Sequence, residues 1–557
     1  MDILNIKGVF TSLPPSSAHL KLVERHIPNH SQENSDSGSL SSVWSNLLIQ
    51  GDNFHVLNAL QDRFKNKIKF VYIDPPYFVG KDEVMHIPIT VHRAAQQSRP
   101  APFQELVFRN TLNASDNVAS FCSWFYPRLK LIESLISRDG FIATRFDYHY
   151  AHYVKLLLDN IYGAENFINE FIIRRMKKNL SEKQAKNQNH VIVHSDSVFL
   201  YQLSNQSIVH ESIVKVKRKN ALPIEIKNSW DNIWVDIPGY EKTKKTLYPT
   251  ENSEKLLERL IRLCSVPEDI VADFFCGSGT TSAVAERFNR KWIAVDLSKY
   301  SIYETRKRLL NNGLNRPLEY YWTVINEKKG ASFMNLNGNY YDLILQTFGG
   351  IKHAEEMPFH GRKDGAYIYI GQYNQMVSKE DIQFAIQLLN QKEGSQGELI
   401  ILGWKFQLDL PFFMNNYQME NRKIRFIRIH EAPTQSLSFR PLPFVDIDWK
   451  ISPKVRQIHL RINDYQLPVE EDKKLSNTIG SQHPIDLIDY WSINWDSKRK
   501  KSIDWSSFRK LGPGRKIIRE IKKQTSWHYD TEGDYTILIN LVDILGNDLL
   551  FHIHIHI

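Results

Sequence analysis

The feature that most constrains the fold of this chain is a strand, a glycine turn, a helix and a second strand in direct succession. The apolar run Asp269–Phe275 predicts a buried strand, and the turn sequence Cys276–Thr281 (CGSGTT) follows it directly. A helical pattern then leads to a second strand, Lys291–Asp296, which ends in an acid roughly 20 residues after Asp273, where such units place a carboxylate on ribose hydroxyls. The third glycine of the dinucleotide fingerprint and the Gly-Lys-Ser/Thr phosphate loop are missing, so NAD and ATP are disfavoured.

A second motif, Asp74-Pro75-Pro76-Tyr77, ends the apolar run Ile68–Ile73. It combines a carboxylate, backbone carbonyls whose directions are fixed by proline rings, and an aromatic face on one rigid strand end. That set suits the binding of an exocyclic amino group on a flat base. By itself the tetrapeptide is also compatible with a strand-ending turn.

Together the two motifs resemble the amino-methyltransferases of DNA. In that family Phe-x-Gly-x-Gly, matched here by Phe275, Gly277 and Gly279, binds S-adenosylmethionine, and Asp-Pro-Pro-Tyr binds the flipped base. The catalytic motif precedes the cofactor motif, as in the permuted beta class, and the arrangement is similar to modification subunits of type III restriction systems. The resemblance implies a permuted Rossmann-like α/β methyltransferase fold. An aspartate at the first motif position implies N6 of adenine as the target.

The resemblance extends over about residues 45–312. The segment at Gly51-Asp52-Asn53 resembles the entry beside the cofactor's adenine, residues 124–131 resemble the helix after the catalytic loop, and residues 140–147 resemble a later core strand. Through the resemblance we assign cofactor binding to a set of turn and strand-end residues: Asp52, Thr250, Asp273, Phe275, Gly277, Ser278, Gly279, Thr280 and Asp296. Catalysis is assigned to Asp74, Pro75, Pro76 and Tyr77.

One segment departs from the family pattern. The family commonly reads Pro-Thr-Gln-Lys-Pro before the helix that packs on the cofactor site, whereas this chain reads Pro249-Thr250-Glu251-Asn252-Ser253. The family lysine is therefore missing at Asn252, and Lys255 lies too far along the chain to be taken as its substitute.

The distribution of charge suggests where DNA binds. The formal net charge is +9, and Phe171–Lys219 holds ten Lys/Arg against three Asp/Glu. Basic residues release counterions from a phosphate backbone, and this stretch lies between the two motifs, where the class carries target recognition. A solvated face is the alternative. The residues that we predict to contact DNA are Arg174, Arg175, Lys177, Lys178, Lys217, Arg218 and Lys219.

A second basic stretch, Lys498–Lys523, holds eleven Lys/Arg against two Asp/Glu and lies among tryptophans. We weigh DNA and a protein partner equally for it. Residues 331–435 predict a small second α/β domain, and residues 436–557 predict a β-rich C-terminal domain. Residues 1–44 are expected to be an N-terminal extension, residues 45–325 the methyltransferase domain, and residues 171–247 its DNA-facing, target-recognition segment.

The remaining composition excludes several classes of protein. No run of 18 apolar residues and no signal pattern is present, so we expect a cytoplasmic protein that associates with the nucleoid when bound to DNA, without a membrane. The three cysteines lack metal-ligand spacing. His552, His554 and His556 share one strand face, but a polar face is a better interpretation than a metal site, so we predict none.

The expected function is therefore site-specific transfer of a methyl group from S-adenosylmethionine to adenine N6 in double-stranded DNA, within a restriction-modification system. A homodimer and a restriction subunit are both candidate partners. Three further functions stay open: a catalytically weak DNA-binding specificity subunit on the same scaffold, an N4-cytosine methyltransferase and an RNA methyltransferase.

Overall fold

The structure is a computed structural model that forms two compact units, one of residues 1–87 and 104–326 and the other of residues 88–103 and 327–557. Within them it describes most of the chain: residues 18–28, 44–76, 83–87, 103–108, 117–174, 195–207, 209–210, 213–216, 224–227, 232–238, 251–325, 340–352, 359–372, 376–393, 397–406, 424–431, 437–441, 444–466, 484–498, 502–511, 517–544 and 548–557. In this part of the chain no helix is long and apolar enough to cross a membrane.

The first unit alternates strands and helices. Its strands are β1 (Ala18–His26), β2 (Asn46–Gln50), β3 (Ile68–Ile73), β4 (Glu83–Ile87), β5 (Phe103–Phe108), β6 (Ile136–Phe146), β7 (Phe167–Arg174), β8 (Ser195–Gln202), β9 (Ile213–Val216), β10 (Ile224–Lys227), β11 (Ile233–Pro238), β12 (Ile270–Asp273), β13 (Lys291–Asp296) and β14 (Leu318–Ile325). Its helices are α1 (Asn53–Phe64), α2 (Asn117–Leu135), α3 (Ala151–Tyr162), α4 (Glu254–Cys264), α5 (Thr280–Arg287) and α6 (Lys299–Asn312), with a 3-10 turn at Ala164–Asn166.

A ten-stranded sheet organises this unit, in the order β1-β14-β2-β13-β12-β3-β6-β8-β7-β11. The central strands β2, β13, β12, β3 and β6 are parallel to their neighbours, and β8 then runs antiparallel to β6. Their sequences are nearly continuous apolar runs because both faces of a parallel sheet are covered by helices. The predicted α/β methyltransferase fold, with the glycine-turn strand later in the chain than the strand of Asp74, is confirmed.

Each face of the sheet has its own apolar core. Alternating side chains of β3 separate the two cores, since Val71 and Ile73 lie in one and Phe70 and Tyr72 lie in the other. Residues of α1, α2 and α3 complete the first core, and residues of α4, α5 and α6 complete the second. Tyr72 therefore lies on the α4 face of the sheet.

The N-terminal strand β1 belongs to this sheet. We expected residues 1–44 to lie outside the methyltransferase domain, but Ala18–His26 pairs antiparallel with β14. The reason is tertiary. Glu24 on β1 forms a buried ion pair with Arg306 on α6, with 2.6 Å between its Oε2 and the Arg306 Nη1, and both side chains are at most 2% exposed. The sequence pattern of residues 1–44 alone does not predict these contacts, because their partners lie far along the chain.

We expect Glu24→Ala to lower the free energy of unfolding by about 3 kcal/mol, because it leaves the buried Arg306 guanidinium without this carboxylate. Lys21→Ala on the same strand is the matched control, since Lys21 is exposed, and it should cost under about 0.5 kcal/mol. Urea unfolding followed by circular dichroism measures both. Equal effects of the two substitutions would contradict the buried-pair interpretation.

Strands from the segment predicted to face DNA also complete the sheet. β7, β8 and β11 all lie within or across residues 171–247, and they form the edge of the sheet beyond β6. Some residues of this segment therefore stabilise the fold. Phe171, Val198 and Trp234 are buried in the core on the α4 face of the sheet. β9 and β10 form a separate two-stranded antiparallel sheet, and β4 and β5 form another two-stranded sheet.

The second unit holds α7 (Tyr340–Phe348), α8 (Lys379–Glu393) and strands that continue the numbering. These are β15 (Gly361–Lys363), β16 (Ala366–Ile370), β17 (Met376–Val377), β18 (Leu399–Gly403), β19 (Lys405–Phe406), β20 (Ile424–Glu431), β21 (Leu437–Pro441), β22 (Phe444–Ser452), β23 (Gln457–Gln466), β24 (Ile488–Asn494), β25 (Trp505–Phe508), β26 (Lys510–Leu511), β27 (Ile517–Arg519), β28 (Gln524–His528), β29 (Asp534–Asp543) and β30 (Asp548–His556). Short 3-10 turns lie at Pro453–Val455 and Pro484–Leu487.

Within this unit an α/β part precedes a β-rich part, as the alternating patterns predict. The order β15-β16-β18-β20-β21 forms a five-stranded sheet, and α7 and α8 contribute to separate apolar cores beside it. Beyond it, the strands form a three-stranded sheet, β22-β23-β28, and a four-stranded sheet, β25-β24-β29-β30.

The tryptophans around the second basic stretch are mainly structural. Trp491 and Trp495 are 0% and 1% exposed, and Trp527, at 36%, stacks on Trp495 with 5.8 Å between ring centroids. The terminal histidines have separate polar contacts: His554 Nδ1 lies 2.9 Å from Thr536 Oγ1, and His556 Nδ1 lies 2.8 Å from an Asp534 oxygen. Within the described residues no cluster of His, Cys, Asp and Glu suits a metal ion.

Candidate active site

The two motifs meet at adjacent strand ends. β12 and β3 are neighbours with Asp273 in register with Tyr72, so Asp74 follows one strand and the glycine turn follows the next. From β12 the chain continues through α5 to β13 on one side, and from β3 it continues through α2 to β6 on the other. This is a topological switch point, and ligands of open α/β sheets bind in the crevice outside the strand ends at such a point.

The Asp-Pro-Pro-Tyr motif enters this crevice. The Asp74 side chain is 11% exposed, Pro75 is buried and Pro76 is half-buried. Tyr77 lies outside the described residues. Asp74 therefore presents a largely desolvated carboxylate at the edge of the crevice, where its hydrogen bonds are stronger than in water.

The glycine turn needs its glycines for conformational reasons. Gly277 and Gly279 have φ angles of +51° and +71°, in the left-handed region that favours glycine. A Cβ atom added to Gly279 would lie 2.5 Å from the Thr305 Cγ2 atom of α6. The Thr305 hydroxyl donates to the Gly277 carbonyl over 3.0 Å. Helix α6 therefore packs against the turn and fixes its conformation. The two glycines leave the backbone of the turn without side chains that would cover it.

Asp296, the acid that ends β13, is tied to the same turn. Its carboxylate accepts hydrogen bonds from the backbone N–H groups of Gly277 and Ser298, each over 2.9 Å. Burial raises the pKa of Asp296, while these two amides act in the opposite direction. Its carbonyl oxygen accepts from the Gly51 N–H over 3.0 Å, so β2 is joined to the site as well.

Asp273 is the most strongly perturbed acid of the site. It accepts from the Thr281 hydroxyl over 2.6 Å and from the Phe275 N–H over 3.0 Å, yet burial raises its pKa to about 7. The charges of Asp74 and Asp296 act in the same direction as burial and contribute to this pKa of about 7. Three carboxylates therefore interact around one crevice.

We expect Asp273→Asn to remove a pH dependence of stability. An unfolded aspartate has a pKa of about 4, so between pH 4 and pH 7 the native state holds a proton that the unfolded state has lost. The free energy of unfolding of the wild type should fall as pH rises through this range, by about 4 kcal/mol from this group. Asparagine imitates the protonated acid and should flatten that slope in urea unfolding at pH 5, 6 and 7.

Asp139→Asn is the control for this series. The hydrogen bond from Lys69 lowers the pKa of Asp139, so this group titrates below the pH range of the experiment and its replacement should leave the slope unchanged. A slope that persists in Asp273→Asn would show that the native carboxyl group is ionised throughout.

Asp52 has a structural partner that the sequence analysis missed. It caps α1 by accepting from the Phe54 N–H over 2.8 Å, and its two oxygens accept from Arg128 Nη2 over 3.0 and 3.2 Å. Arg128 also donates to Asn53 Oδ1 over 2.6 Å and packs 4.3 Å from the Trp124 ring. Arg128 thus joins α2 to the entry segment. Arg128 follows Trp124 by one helical turn, so the sequence indicates the contact between these two side chains but not the contact of Arg128 with Asp52.

The hydroxyl groups of Ser278 and Thr280 point away from solvent. Both residues are 3% exposed, and Thr280 Oγ1 accepts from Arg308 Nη1 over 3.0 Å. Arg308 in turn pairs with the buried Glu251 over 2.7 Å. The assignment of Ser278 and Thr280 to cofactor binding stays a prediction. Because their hydroxyl groups are buried, we expect any contact with the cofactor to come from backbone N–H groups at the start of α5. Thr250 lies outside the described residues.

Asn252, where the family lysine was expected, lies beside Asp74. Its Nδ2 donates to Asp74 Oδ2 over 2.9 Å. Arg145 from β6 donates to the Asn252 Oδ1 atom, and its Nη1 lies 3.9 Å from the same Asp74 oxygen. The sequence analysis gave neither residue a role at Asp74, because residues so far apart in sequence share no local pattern.

Of the residues that we predicted to contact DNA, only Arg174 lies in the part of the chain that the structure describes. Arg174 ends β7, where its backbone is paired with Ser195 of β8. β9 ends immediately before Lys217. The other six residues of the predicted set lie outside the described residues: Arg175, Lys177, Lys178, Lys217, Arg218 and Lys219. Their contacts with DNA stay a prediction.

The residues that line the crevice suit S-adenosylmethionine better than a cofactor with phosphate groups. The carboxylates of Asp74 and Asp296 lie around the crevice, where they repel phosphates and favour a cation with hydroxyl groups. The half-buried Phe275 ring adds an apolar wall beside Trp124, with 5.8 Å between ring centroids. S-adenosylmethionine carries a sulfonium cation and a ribose and has no phosphate, so the residues present suit it.

Comparison with known proteins finds one matching family model and several relatives. The family model described as DNA methylase matches residues 68–307. The EcoP15I Mod subunit of a type III restriction-modification enzyme from Escherichia coli is 26% identical over 207 residues, covering 36% of this chain and 30% of that protein. The StyLTI Mod subunit from Salmonella typhimurium is 22% identical over 328 residues, covering 44% and 50%.

A type II methyltransferase, M.EcaI from Enterobacter cloacae, is 22% identical over 380 residues, covering 54% of this chain and 79% of that protein. The chain spans between 24% and 50% of the length of the first three type III relatives. The family match includes the Asp74 strand end, the glycine turn and Asp296. Residues 68–307 of this chain, less than half of its length, are therefore similar to the DNA methylase family.

Proposed function

We propose that this chain is a site-specific DNA methyltransferase that transfers the methyl group of S-adenosylmethionine to N6 of an adenine flipped out of double-stranded DNA. The observation that carries the proposal is the adjacency of Asp74 and the glycine turn at one switch point. A carboxylate suited to an exocyclic amine thus lies beside a turn suited to the cofactor. The DNA methylase match over the same residues supports it.

The target base leaves the helix because its amine cannot meet a methyl donor inside the duplex. The Asp74 carboxylate and the Pro75 carbonyl accept the two N6 protons, and the family resemblance assigns stacking on the base to Tyr77. These hydrogen bonds turn the nitrogen lone pair out of conjugation and aim it at the methyl group. When bound, S-adenosylmethionine supplies an electrophilic methyl group on a cationic sulfur.

The chain contributes mainly position and electrostatics. As the new N–C bond forms and the C–S bond breaks, the amine nitrogen becomes positively charged and its proton becomes acidic. Asp74 stabilises that charge through its hydrogen bond, and the proton then passes to solvent. A strong base is therefore not required at position 74. Gly277 and Gly279 keep the turn bare, and Asp296 binds the ribose.

Sequencing and mass spectrometry of DNA methylated by the purified chain test this function. The expected product is N6-methyladenine at one recurring sequence, formed only with S-adenosylmethionine. N4-methylcytosine as the product would correct the target base while preserving the chemistry. Methylation of RNA in preference to duplex DNA would overturn the proposal and indicate an RNA methyltransferase. Cofactor binding without transfer to either nucleic acid would overturn it and indicate a DNA-binding specificity subunit.

DNA and a protein subunit are the proposed partners. The residues Arg174, Arg175, Lys177, Lys178, Lys217, Arg218 and Lys219 contact the DNA backbone, and the second compact unit binds either a second copy of the chain or a restriction subunit. Resemblance to type III modification subunits supports the latter. Light scattering of the chain alone and of the chain mixed with a type III restriction subunit distinguishes these two assemblies.

A further inference from the structure

The carboxylate of Asp74 is held by a network that crosses three separate parts of the methyltransferase unit. Asn252 Nδ2 donates to Asp74 Oδ2 over 2.9 Å, and Arg145 Nη1 lies 3.9 Å from that same oxygen. Arg145 also donates to Asn252 Oδ1, and the Tyr72 hydroxyl donates to this atom over 3.3 Å. Asn252 thus connects β3, β6 and the segment before α4.

The network fixes which way the Asn252 amide points. Its Oδ1 atom receives two donors, the Arg145 guanidinium and the Tyr72 hydroxyl. An amide in the opposite orientation would direct its NH2 group at both donors, and its oxygen would meet the Asp74 carboxylate. Only the observed orientation lets Asn252 donate to Asp74, so Arg145 and Tyr72 determine the direction of this hydrogen bond.

Arg145 is itself anchored. Its Nη2 and Nε atoms donate to Asp196 Oδ2 of β8 over 2.6 and 3.2 Å, and both side chains are fully buried. Alternation along β6 puts Arg145 on the α4 face of the sheet, the same face as Tyr72 and Asn252. A planar guanidinium can bind a carboxylate on one side and an amide oxygen on the other without moving, which a lysine ammonium does less well.

We propose that Arg145 and Asn252 act together as positioning residues for Asp74, with the Arg145 guanidinium supplying the positive charge that the family lysine would carry at position 252. This inference rests on the proposed function. Asn252 transmits the orientation, Arg145 supplies the charge, and Asp196 holds Arg145 in place. The Asp74 carboxylate is thereby held in one orientation, directed at the base.

The proposal is tested by removing the positive charge of Arg145 and introducing a lysine at position 252. Arg145→Met/Asp196→Asn removes the cation together with its anchor, so no bare charge is left buried. We expect kcat to fall about 100-fold while the Kd for S-adenosylmethionine stays within threefold. Adding Asn252→Lys to this double variant should restore kcat to within about tenfold of wild type, because the ammonium then lies beside Asp74. Asn252→Lys alone should lower kcat, because it places a second cation against Arg145.

A positioning role predicts this reversal of sign in the kcat of the folded enzyme, whereas a merely structural role would change the folded fraction and leave the kcat of the folded enzyme unchanged. The matched control is Arg509→Met/Asp489→Asn, the same two changes in a buried ion pair of the second unit, with Nε and Oδ1 2.8 Å apart. It should leave kcat within threefold of wild type. An unchanged kcat in Arg145→Met/Asp196→Asn, or no recovery on adding Asn252→Lys, would overturn the proposal.

A measurement without methyl transfer keeps this inference separate from the proposed function. The urea midpoints of Asp74→Asn, Asn252→Ala and the double variant form a thermodynamic cycle. If the residues are coupled, the shift of the double variant should be clearly smaller than the sum of the single shifts. Additive shifts would overturn the positioning contact whether or not the wild type methylates DNA, whereas an inactive wild type with coupled shifts would overturn the proposed function alone.

Discussion

Asp74→Ala is expected to reduce methyl transfer more than 100-fold while S-adenosylmethionine still binds. In the proposed mechanism the Asp74 side chain accepts a hydrogen bond from the target amine and stabilises the charge that develops on nitrogen. The loss of one such positioned acceptor should raise the barrier by about 3 kcal/mol or more. Cofactor binding should persist because the glycine turn is held by Thr305 and Asp296, neither of which needs Asp74. Incorporation of tritiated methyl groups measures transfer, and calorimetry measures cofactor affinity.

Two further variants sharpen this result. Asp74→Asn keeps the shape but loses the charge, so it should also be strongly impaired. Asp236→Ala removes an exposed carboxylate from β11 of the same sheet and should transfer methyl groups at a rate within a factor of two of wild type. Activity of Asp74→Ala within a few-fold of wild type would remove Asp74 from the catalytic role.

Gly277→Val should weaken S-adenosylmethionine binding about 100-fold. The φ angle of +51° is strained for any residue with a Cβ atom and most of all for a β-branched one, and the proposed function puts the cofactor against this backbone. Asp296→Ala should weaken binding about 10-fold or more, because it removes the proposed ribose acceptor and releases the Gly277 and Ser298 amides that it holds. Calorimetric titration of each folded variant with the cofactor measures the change.

Gly313→Val is the control for backbone strain. Gly313 also has a left-handed φ, +85°, and an added Cβ atom would meet nothing within 4 Å at the end of α6. This variant carries the same conformational penalty away from the crevice, so it should lower the melting temperature without changing the Kd. Equal affinity for the cofactor in Gly277→Val, Asp296→Ala and wild type would mean that the cofactor binds elsewhere.

The sequence by itself determined the parts of this protein that depend on local patterns. The apolar runs at Ile68–Ile73 and Lys291–Asp296 match the bounds of β3 and β13, and the strand before the glycine turn was found with its ends extended by one or two residues. Such runs identify buried parallel strands because nearly every position along them is covered. Through the family resemblance, the order of the two motifs along the chain also predicted the permuted fold.

Only the tertiary structure decided which distant side chains meet at these elements. Asn252 reaches Asp74 and Arg145 across 178 and 107 positions of sequence, and Glu24 reaches Arg306 across 282. Each pair depends on the order of strands in the sheet and on the face to which a side chain points, so no window of neighbouring residues contains it. A missing lysine was visible in the sequence, but the arginine beside that position became visible only once β6 lay next to β3.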